Sequence, residues 1–276
     1  MPQILDGKVA SAKIYETIAK GQKFSSKHRT LAIVTIGNDE ASKVYVNSKK
    51  AKSLACGFKF QHIQLSENIT YKELEETVNF LNKNTHINGI IIQKPLPKHL
   101  AKWDSLIDTL VDPNKDVDGF HPMSDFESCT PKGIIKLLDV NEVPYEEKFV
   151  VIAGRSKIVS QPLAKMFMDK NCTVVMIHSK TPKDLVEKLI KECDIFVSAI
   201  GSKYHWTEYL FRDSKPKIAL VDVGINREYD EELKKNRIFG DIHPDCYKYS
   251  DYYTPVPGGV GLMTVAMLMT NLNETN

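Results

Sequence analysis

The sequence lacks the features expected of a membrane protein or a disulfide-bonded scaffold. No stretch approaches the ~18 apolar residues of a membrane-spanning helix, and the opening MPQILDGKVASAKIYE has no apolar run of the signal-peptide kind. Only five cysteines occur in 276 residues, far apart and with no pair at CxxC spacing. An odd number of scattered cysteines favours reduced thiols over disulfides or a metal site, so we expect a cytoplasmic chain.

The charge balance also lacks a dominant sign. Lys and Arg number 37 against 35 Asp and Glu, which gives a net charge of +2, and the basic residues are dispersed. Binding to nucleic acid or to an acidic membrane surface normally requires clustered positive charge, so we expect neither kind of partner. The length is sufficient for one large domain or two smaller ones.

Short apolar runs alternate with helical stretches along the chain, which predicts parallel sheets covered by helices. The runs that read as strands are TLAIVTIG, FKFQHIQL, INGIIIQ, FVVIAG, TVVMIHS, DIFVSAIG, KIALVDVG and RIFGDIH. The predicted fold class is therefore α/β, with two α/β domains, the second a Rossmann-like nucleotide-binding domain, and a cleft between them. We place the domains at residues 1–125 plus 255–276 and at 126–250.

The stretch FVVIAGRSKIVSQP, residues 149–162, reads as a buried strand, a loop and the start of a helix. Gly154 allows a tight turn, and free N–H groups at the helix start suit an anion such as a phosphate. Ser156 and Ser160 can donate to a phosphate or cap the helix. One glycine is a weak motif, so an ordinary strand-to-helix turn is the alternative.

The next strand ends in IHSKT, residues 177–181, without the Asp or Glu that binds the ribose 2′-OH in NAD sites. It offers Ser179 and Lys180 instead. Together with Arg155 these donors suit a 2′-phosphate, which a carboxylate would repel. The pattern favours NADP, but NAD stays possible because basic residues can also accommodate it.

Three further patterns hold candidate catalytic groups. Spacings of three and four place Ser42, Tyr45 and Lys49 on one helix face, where a lysine facing a cleft can transfer protons. A solvent-exposed lysine is the alternative. Gln93 ends a strand, and Asp118 follows Asp116 at a spacing of two with no further ligand to complete a metal site, so no metal is expected.

Several of these segments resemble the methylenetetrahydrofolate dehydrogenase/cyclohydrolase family. GRSKIVSQPLA followed by HSKT resembles that family's nucleotide loop and second strand end. Other blocks that match in order, over essentially the whole chain, are SKVYVNSKKAKSLACG, GIIIQKPLP, DPNKDVDGFHP, CTPKGI, VDVGIN and TPVPGGVGLMTVAML. The resemblance implies oxidation of 5,10-methylenetetrahydrofolate with NADP, then hydrolysis of the methenyl product to 10-formyltetrahydrofolate. It further implies tetrahydrofolate ligands, a homodimer, and a place in purine biosynthesis.

The resemblance also implies roles for individual residues. The catalytic residues are Lys49, which manages the protons of the attacking water, Gln93, which hydrogen-bonds that lysine, and Asp118, which accepts from the pterin N–H edge. The implied substrate-binding residues are Tyr45, Ser42, Pro257, Gly258, Gly259, Gly261 and Thr264. The implied cofactor-binding residues are Gly154, Arg155, Ser156, Ser179 and Ile225.

Four features depart from the family pattern. Ser160 replaces an expected glycine, Lys94 replaces an apolar residue, usually leucine, and Leu262 replaces an expected proline. In addition, only MSDFES separates DGFHP from CTP, where a longer loop is usual. Lys94 could act on Lys49 electrostatically or point to solvent. The alternatives are a dehydrogenase that uses NAD or has lost the cyclohydrolase step, and a noncatalytic folate-binding paralogue.

Overall fold

The computed structural model describes residues 1–25, 28–215, 218–231 and 234–275. The strands are β1 (Gln3–Ile4), β2 (Thr30–Ile36), β3 (Lys59–Leu65), β4 (Gly89–Ile92), β5 (Phe149–Ala153), β6 (Thr173–Ile177), β7 (Ile195–Ser198), β8 (Ala219–Asp222), β9 (Asn226–Asp230), β10 (Lys235–Phe239) and β11 (Tyr252–Tyr253). The helices are α1 (Gly7–Lys23), α2 (Glu40–Ala55), α3 (Tyr71–Lys83), α4 (Asp104–Ile107), α5 (Cys129–Val140), α6 (Ser160–Met168), α7 (Lys183–Glu192), α8 (Glu208–Phe211) and α9 (Val260–Glu274). Short 3-10 helices cover Ala101–Trp103, Asp108–Leu110 and Pro244–Tyr249.

The chain divides into two compact α/β units, which confirms the predicted fold class. The three-stranded unit comprises Ala12–Cys129 and Val265–Asn276, and the six-stranded unit comprises Met1–Ser11 and Thr130–Thr264. The sequence places residues 1–11 and 255–264 in the first domain, whereas their contacts put them in the six-stranded unit. Residues 126–129, placed in the second domain, have their contacts in the three-stranded unit. The reason at the N-terminus is β1, which pairs in parallel with β11 of that unit's sheet.

The three-stranded unit is built on one parallel sheet in the order β3-β2-β4. The central strand β2 is buried along nearly its whole length, as a continuous apolar run predicts. Since the chain leaves β2 for one neighbour and returns over it to the other, the order reverses between β2 and β4. Loops at the carboxyl ends of strands diverge at such a point and leave room for a ligand.

Helix α3 illustrates how local sequence and packing agree in this unit. Thr70 and Glu73 form a reciprocal capping box that satisfies two of the free N–H groups at the helix start. Leu74, Val78 and Leu81, spaced by four and three, are buried against the sheet. Truncation of such a leucine to alanine typically costs about 2–5 kcal/mol, so this face holds the helix in place.

The six-stranded unit contains the predicted Rossmann-like sheet, in the order β1-β11-β8-β7-β5-β6 with every pairing parallel. The order reverses between β5 and β7. The loops that follow these two strands, which begin at Gly154 and Ala199, therefore occupy the position where nucleotides bind in doubly wound sheets.

One predicted strand of this unit has a different partner. RIFGDIH was expected to continue the parallel sheet, but its first residues form β10, which pairs antiparallel with β9 in a separate two-stranded ribbon. The connection between β9 and β10 is too short for the crossover of a dozen or more residues that a parallel partner requires. The β10 side chains are also mostly exposed, unlike those of a central parallel strand.

All five cysteines are buried free thiols, as expected of reduced cysteines. Burial raises the pKa of the Cys56 thiol to about 11, which disfavours the reactive thiolate. Within the described ranges, no helix combines the length and apolar character needed to cross a membrane. No group of three potential metal-ligating side chains occurs in those ranges either.

Candidate active site

Helix α2 presents the predicted Ser42, Tyr45 and Lys49 on one face. The helix begins after Asp39, whose carboxylate accepts a 2.7 Å hydrogen bond from the Ser42 N–H and so caps the first turn. Lys49 is only 8% exposed, although lysine is rarely buried without a partner. The predicted alternative of a solvent-exposed lysine is therefore wrong.

Lys49 has two partners from different segments. Its Nζ donates to Gln93 Oε1 at 3.1 Å, and it lies 3.8 Å from Asp118 Oδ2. Gln93 directly follows β4, so the β2–β4 reversal brings helix α2 and this amide together. The structure thus assembles all three predicted catalytic residues within one unit; their roles stay predictions.

The amide of Gln93 is held in one orientation. Its Nε2 donates to the Lys94 carbonyl at 2.8 Å, while its Oε1 accepts from Lys49. Because a carbonyl can only accept and an ammonium can only donate, these two partners determine which end of the amide faces Lys49. The lysine therefore meets a fixed acceptor.

Asp118 stands at a turn that requires glycine. Gly119 has a φ of +72°, and a Cβ at this position would lie 2.6 Å from the Ser128 backbone nitrogen. The Asp118 side chain is 14% exposed, so its carboxylate retains some access. The backbone next to Asp118 is thus closely packed against the segment at Ser128.

Asp116 supports the same turn. Its carboxylate is 4% exposed and accepts from the His121 N–H at 2.8 Å. Burial raises the pKa of Asp116 to about 6, the His121 N–H opposes the rise, and the negative charge of Asp118 adds to it.

Lys94 neither points to solvent nor contacts Lys49. Its Nζ lies 2.9 Å from Asp104 Oδ1 and 2.9 Å from both carboxylate oxygens of Asp108. Burial disfavours the charge, but the bonds to Asp108 and Asp104 outweigh it, and the pKa of Lys94 is raised. We did not anticipate Asp104 and Asp108 from the sequence, although their spacing of four in DSLID places both on one helical face.

A cavity of about 250 Å³ with both polar and apolar walls lies beside Gln93 in the three-stranded unit. Ser42 and Gln93 both line it, so two predicted residues share one cavity. Its other polar walls include Thr35, whose hydroxyl lies 2.9 Å from His62 Nε2. The buried Thr35 hydroxyl of the wall is thus paired with the exposed His62 imidazole.

The predicted cofactor loop lies at the β5–β7 reversal in the six-stranded unit. Gly154 has a φ of +128°, and a Cβ there would lie 2.7 Å from the Ala199 carbonyl oxygen. The glycine therefore allows two loops to pass in contact. Arg155, which follows it, is exposed.

Ser156 and Ser160 hold the loop rather than extend from it. Ser156 Oγ accepts from the N–H groups of Val159 and Ser160, both at 3.2 Å. Ser160 is fully buried, with its Oγ 3.5 Å from that of Ser156. The extra atoms of Ser160 are therefore buried beside the Ser156 hydroxyl.

A larger cavity, of about 640 Å³, lies beside these strand ends. Apolar walls dominate, with Ile177, Val186, Ile200 and Leu210 among them, and Ser179 and His178 stand at its edge. Of the five predicted cofactor residues, Ser179 is the one found in this wall among the described residues. Arg155 lies on the neighbouring loop.

Asp241 is a buried residue that sequence reasoning missed. It is 0% exposed and accepts from Ser198 Oγ at 2.8 Å, from Ile200 N–H at 2.9 Å and from Ser202 N–H at 2.9 Å. It also accepts from Asn226 Nδ2 at 3.0 Å. One carboxylate thus fixes the loop after β7. An aspartate inside the apolar run FGDIH was the available signal.

The remaining predicted residues lie around the Pro/Gly loop of the six-stranded unit. The Gly7 N–H donates to the Gly258 carbonyl at 2.9 Å, which ties this loop to the start of α1. Thr264 Oγ1 lies 3.1 Å from Thr130 Oγ1. Gly261 faces Ile225, whose Cδ1 would lie 3.6 Å from an added Cβ. Pro257 and Gly259 complete the loop, with Pro257 exposed and Gly259 buried.

Two family models match the chain, one in each half. The model described as tetrahydrofolate dehydrogenase/cyclohydrolase, catalytic domain, matches residues 5–118. The model described as tetrahydrofolate dehydrogenase/cyclohydrolase, NAD(P)-binding domain, matches residues 128–276.

Similar proteins cover nearly the full chain. The bifunctional protein FolD of Streptococcus uberis is 37% identical over 284 residues, which span 98% of this chain and 95% of the relative. The crystal structure of the bifunctional enzyme FolD from Campylobacter jejuni has a TM-score of 0.91 at 38% identity, over 100% and 98% of the two chains. The Trypanosoma brucei methylenetetrahydrofolate dehydrogenase-cyclohydrolase, complexed with NADP and an inhibitor, has a TM-score of 0.90 at 29% identity, over 98% and 96%.

Proposed function

The chain belongs to the tetrahydrofolate dehydrogenase/cyclohydrolase family, and from this premise we propose how its own residues perform the family's two reactions. The first reaction oxidises 5,10-methylenetetrahydrofolate to the 5,10-methenyl cation with NADP. The second hydrolyses that cation to 10-formyltetrahydrofolate. The observation that carries the proposal is the contact of Lys49 with Gln93 and Asp118 in one unit.

For the first reaction, we propose that the six-stranded unit binds NADP, which when bound accepts the hydride. The loop fits a dinucleotide because Gly154, which has no Cβ, lets the loop after β5 pass in contact with the loop after β7. Helix α6 begins directly behind this loop, and the N-terminal end of a helix favours an anion such as a phosphate. Arg155, Ser179 and Lys180 supply cationic and hydroxyl donors to the 2′-phosphate. The apolar cavity edged by Ser179 receives the adenine, a flat ring suited to such walls.

For the second reaction, Lys49 moves the proton of the attacking water. Water adds to the methenyl carbon and loses one proton, which is released. The hydroxyl of the adduct then loses its proton as the formyl C=O forms, one carbon–nitrogen bond breaks, and the leaving nitrogen takes up a proton. An amine held within hydrogen-bond reach can carry out both transfers. Gln93 holds Lys49 Nζ for this task from 3.1 Å.

Asp118 selects the substrate. A carboxylate accepts hydrogen bonds but cannot donate them when ionised, so it pairs with the N–H edge of a pterin. An analogue without those N–H groups would leave lone pairs of a largely buried carboxylate without the donors that the pterin supplies, which is costly. Tyr45, one turn before Lys49, packs against the folate, and Ser42 adds to the substrate site of the same unit. The roles of Pro257, Gly258, Gly259, Gly261 and Thr264 in substrate binding stay predictions.

The test is a side-by-side turnover assay with 5,10-methylenetetrahydrofolate and either NADP or NAD. Reduced cofactor and the methenyl intermediate are followed together. We expect reduction with NADP preferred and no methenyl accumulation, because the second step removes it. Methenyl accumulation would contradict the cyclohydrolase role, preference for NAD would contradict the 2′-phosphate site, and no reduction with either would leave a noncatalytic folate-binding protein.

The assignments of folate-binding unit, oligomeric state, compartment and pathway rest on family membership and on the five free cysteine thiols. We propose that the three-stranded unit binds folate, and that the enzyme is a homodimer of the cytoplasm that serves purine biosynthesis. The five free buried thiols support a reducing compartment. Sedimentation equilibrium should give the mass of two 31.3 kDa chains, and a mass of one chain would contradict the dimer.

A further inference from the structure

Lys94 is the charged residue at this site to which the two reactions assign no role. It follows Gln93 directly and is 20% exposed at its side chain. Its ammonium has three N–H groups, and three carboxylate oxygens lie 2.9 Å from it, one from Asp104 and two from Asp108. With its donors engaged in this way, Lys94 is not available to carry protons to a substrate.

We propose that Lys94 is a positioning residue for Gln93, an inference that rests on the proposed role of Lys49. The contacts form a continuous chain. Asp108 holds the Lys94 ammonium, the Lys94 carbonyl accepts from Gln93 Nε2 at 2.8 Å, and Gln93 Oε1 accepts from Lys49 at 3.1 Å. The ion pair therefore anchors the residue whose carbonyl, together with Lys49, determines which way the Gln93 amide points.

The Lys94 ammonium also contacts the segment that carries Asp118. The Lys94 ammonium lies 5.5 Å from the centre of the Phe120 ring, within the range of a cation–π contact. Phe120 follows the Asp118–Gly119 turn. One ammonium thus contacts the 3-10 turn at Asp108, the start of α4 at Asp104 and the substrate-selecting turn.

The low solvent exposure of the Lys94–Asp108 ion pair makes each charge depend on the other. The Asp108 side chain is 14% exposed, so removing Lys94 alone would leave a carboxylate shielded from water without its counter-charge. An uncompensated charge of this kind forces the local structure to rearrange, whereas replacing both charges with apolar groups is often tolerated. Substitution of Lys94 alone is therefore expected to disturb the site, whereas substitution of both Lys94 and Asp108 by apolar residues is expected to restore it.

The experiment measures both activities on one sample of each variant. In Lys94→Leu we expect the cyclohydrolase kcat to fall roughly 10- to 100-fold, as displacement of a catalytic group by about 1 Å does. The dehydrogenase kcat should stay within about twofold of the parent, because it does not use the Lys49–Gln93 proton path. A loss of folded protein would lower both activities equally and leave their ratio unchanged.

Two further variants separate positioning from stability. Asp108→Asn weakens the same pair from its other end with little change of shape, and should lower the ratio in the same direction. Lys94→Leu combined with Asp108→Leu should bring the ratio back toward the parent. The matched control is Lys215→Leu, which breaks the 2.7 Å Lys215–Asp194 pair in the six-stranded unit and should leave the ratio unchanged.

An unchanged ratio in folded Lys94→Leu would overturn the inference, as would a double variant no better than the single one. These outcomes are distinct from failure of the proposed function. If Lys49→Ala removes cyclohydrolase activity while Lys94→Leu keeps the parental ratio, only the role of Lys94 is lost. If Lys49→Ala retains that activity, the proton path itself is wrong.

Discussion

Substitution of Lys49 by alanine is expected to abolish the cyclohydrolase step and to leave the fold intact. A positioned proton-transfer group typically contributes about 10²- to 10⁴-fold, so methenyl hydrolysis should fall by that order. The change also removes the donor to Gln93 Oε1 and the cation beside Asp118. Loss of these contacts should lower the free energy of unfolding by about 1–3 kcal/mol, which a domain of this size tolerates.

The measurement is hydrolysis of the methenyl compound supplied directly, which isolates the second step from the first. Lys50→Ala is the matched control, since Lys50 is the next residue along the same helix but is exposed. It should retain parental hydrolysis. Unchanged hydrolysis in Lys49→Ala, with circular dichroism like the parent's, would refute the assignment.

The elements that hold the site were largely predictable from the sequence. A buried parallel strand is a continuous apolar run, so β2, β4 and β5 were recognisable without their partners. Helical spacing alone placed Ser42, Tyr45 and Lys49 on one face. The strand end of β4 likewise predicted that Gln93 would lie at the functional edge of the sheet.

Elements stabilised by distant partners were not predictable in the same way. Strands β1 and β11 have two residues each, too few for a period to appear, and they exist because they extend the six-stranded sheet. Strand β10 of the two-stranded ribbon ends in RIF, which with the following GDIH resembles a parallel strand in the sequence. Its true partner follows from the short connection, which the run itself does not reveal.

The side-chain partners show the same limit. Lys94 looked like an unexplained cation because its counter-charges lie ten and fourteen residues away on another element. Ser160 appears in the sequence only as a replacement for an expected glycine, whereas in the structure it is fully buried with its Oγ 3.5 Å from that of Ser156. The sequence pattern shows which residue types are present. The direction in which each side chain points depends on the residues that pack against it, and these come from distant parts of the chain.

Substitution of Arg155 by alanine is expected to remove the preference for NADP. A hydrogen bond to a charged group contributes about 1.5–3 kcal/mol, so the KM for NADP should rise roughly 10- to 100-fold while that for NAD changes little. The reason is that the 2′-phosphate, the group that exposed Arg155 is proposed to contact, is absent from NAD. Arg212→Ala, which removes an exposed arginine near Glu208 at 3.7 Å, is the matched control and should keep both constants. Equal losses for NADP and NAD would place Arg155 on the shared pyrophosphate instead, and an unchanged ratio would refute its role in discrimination.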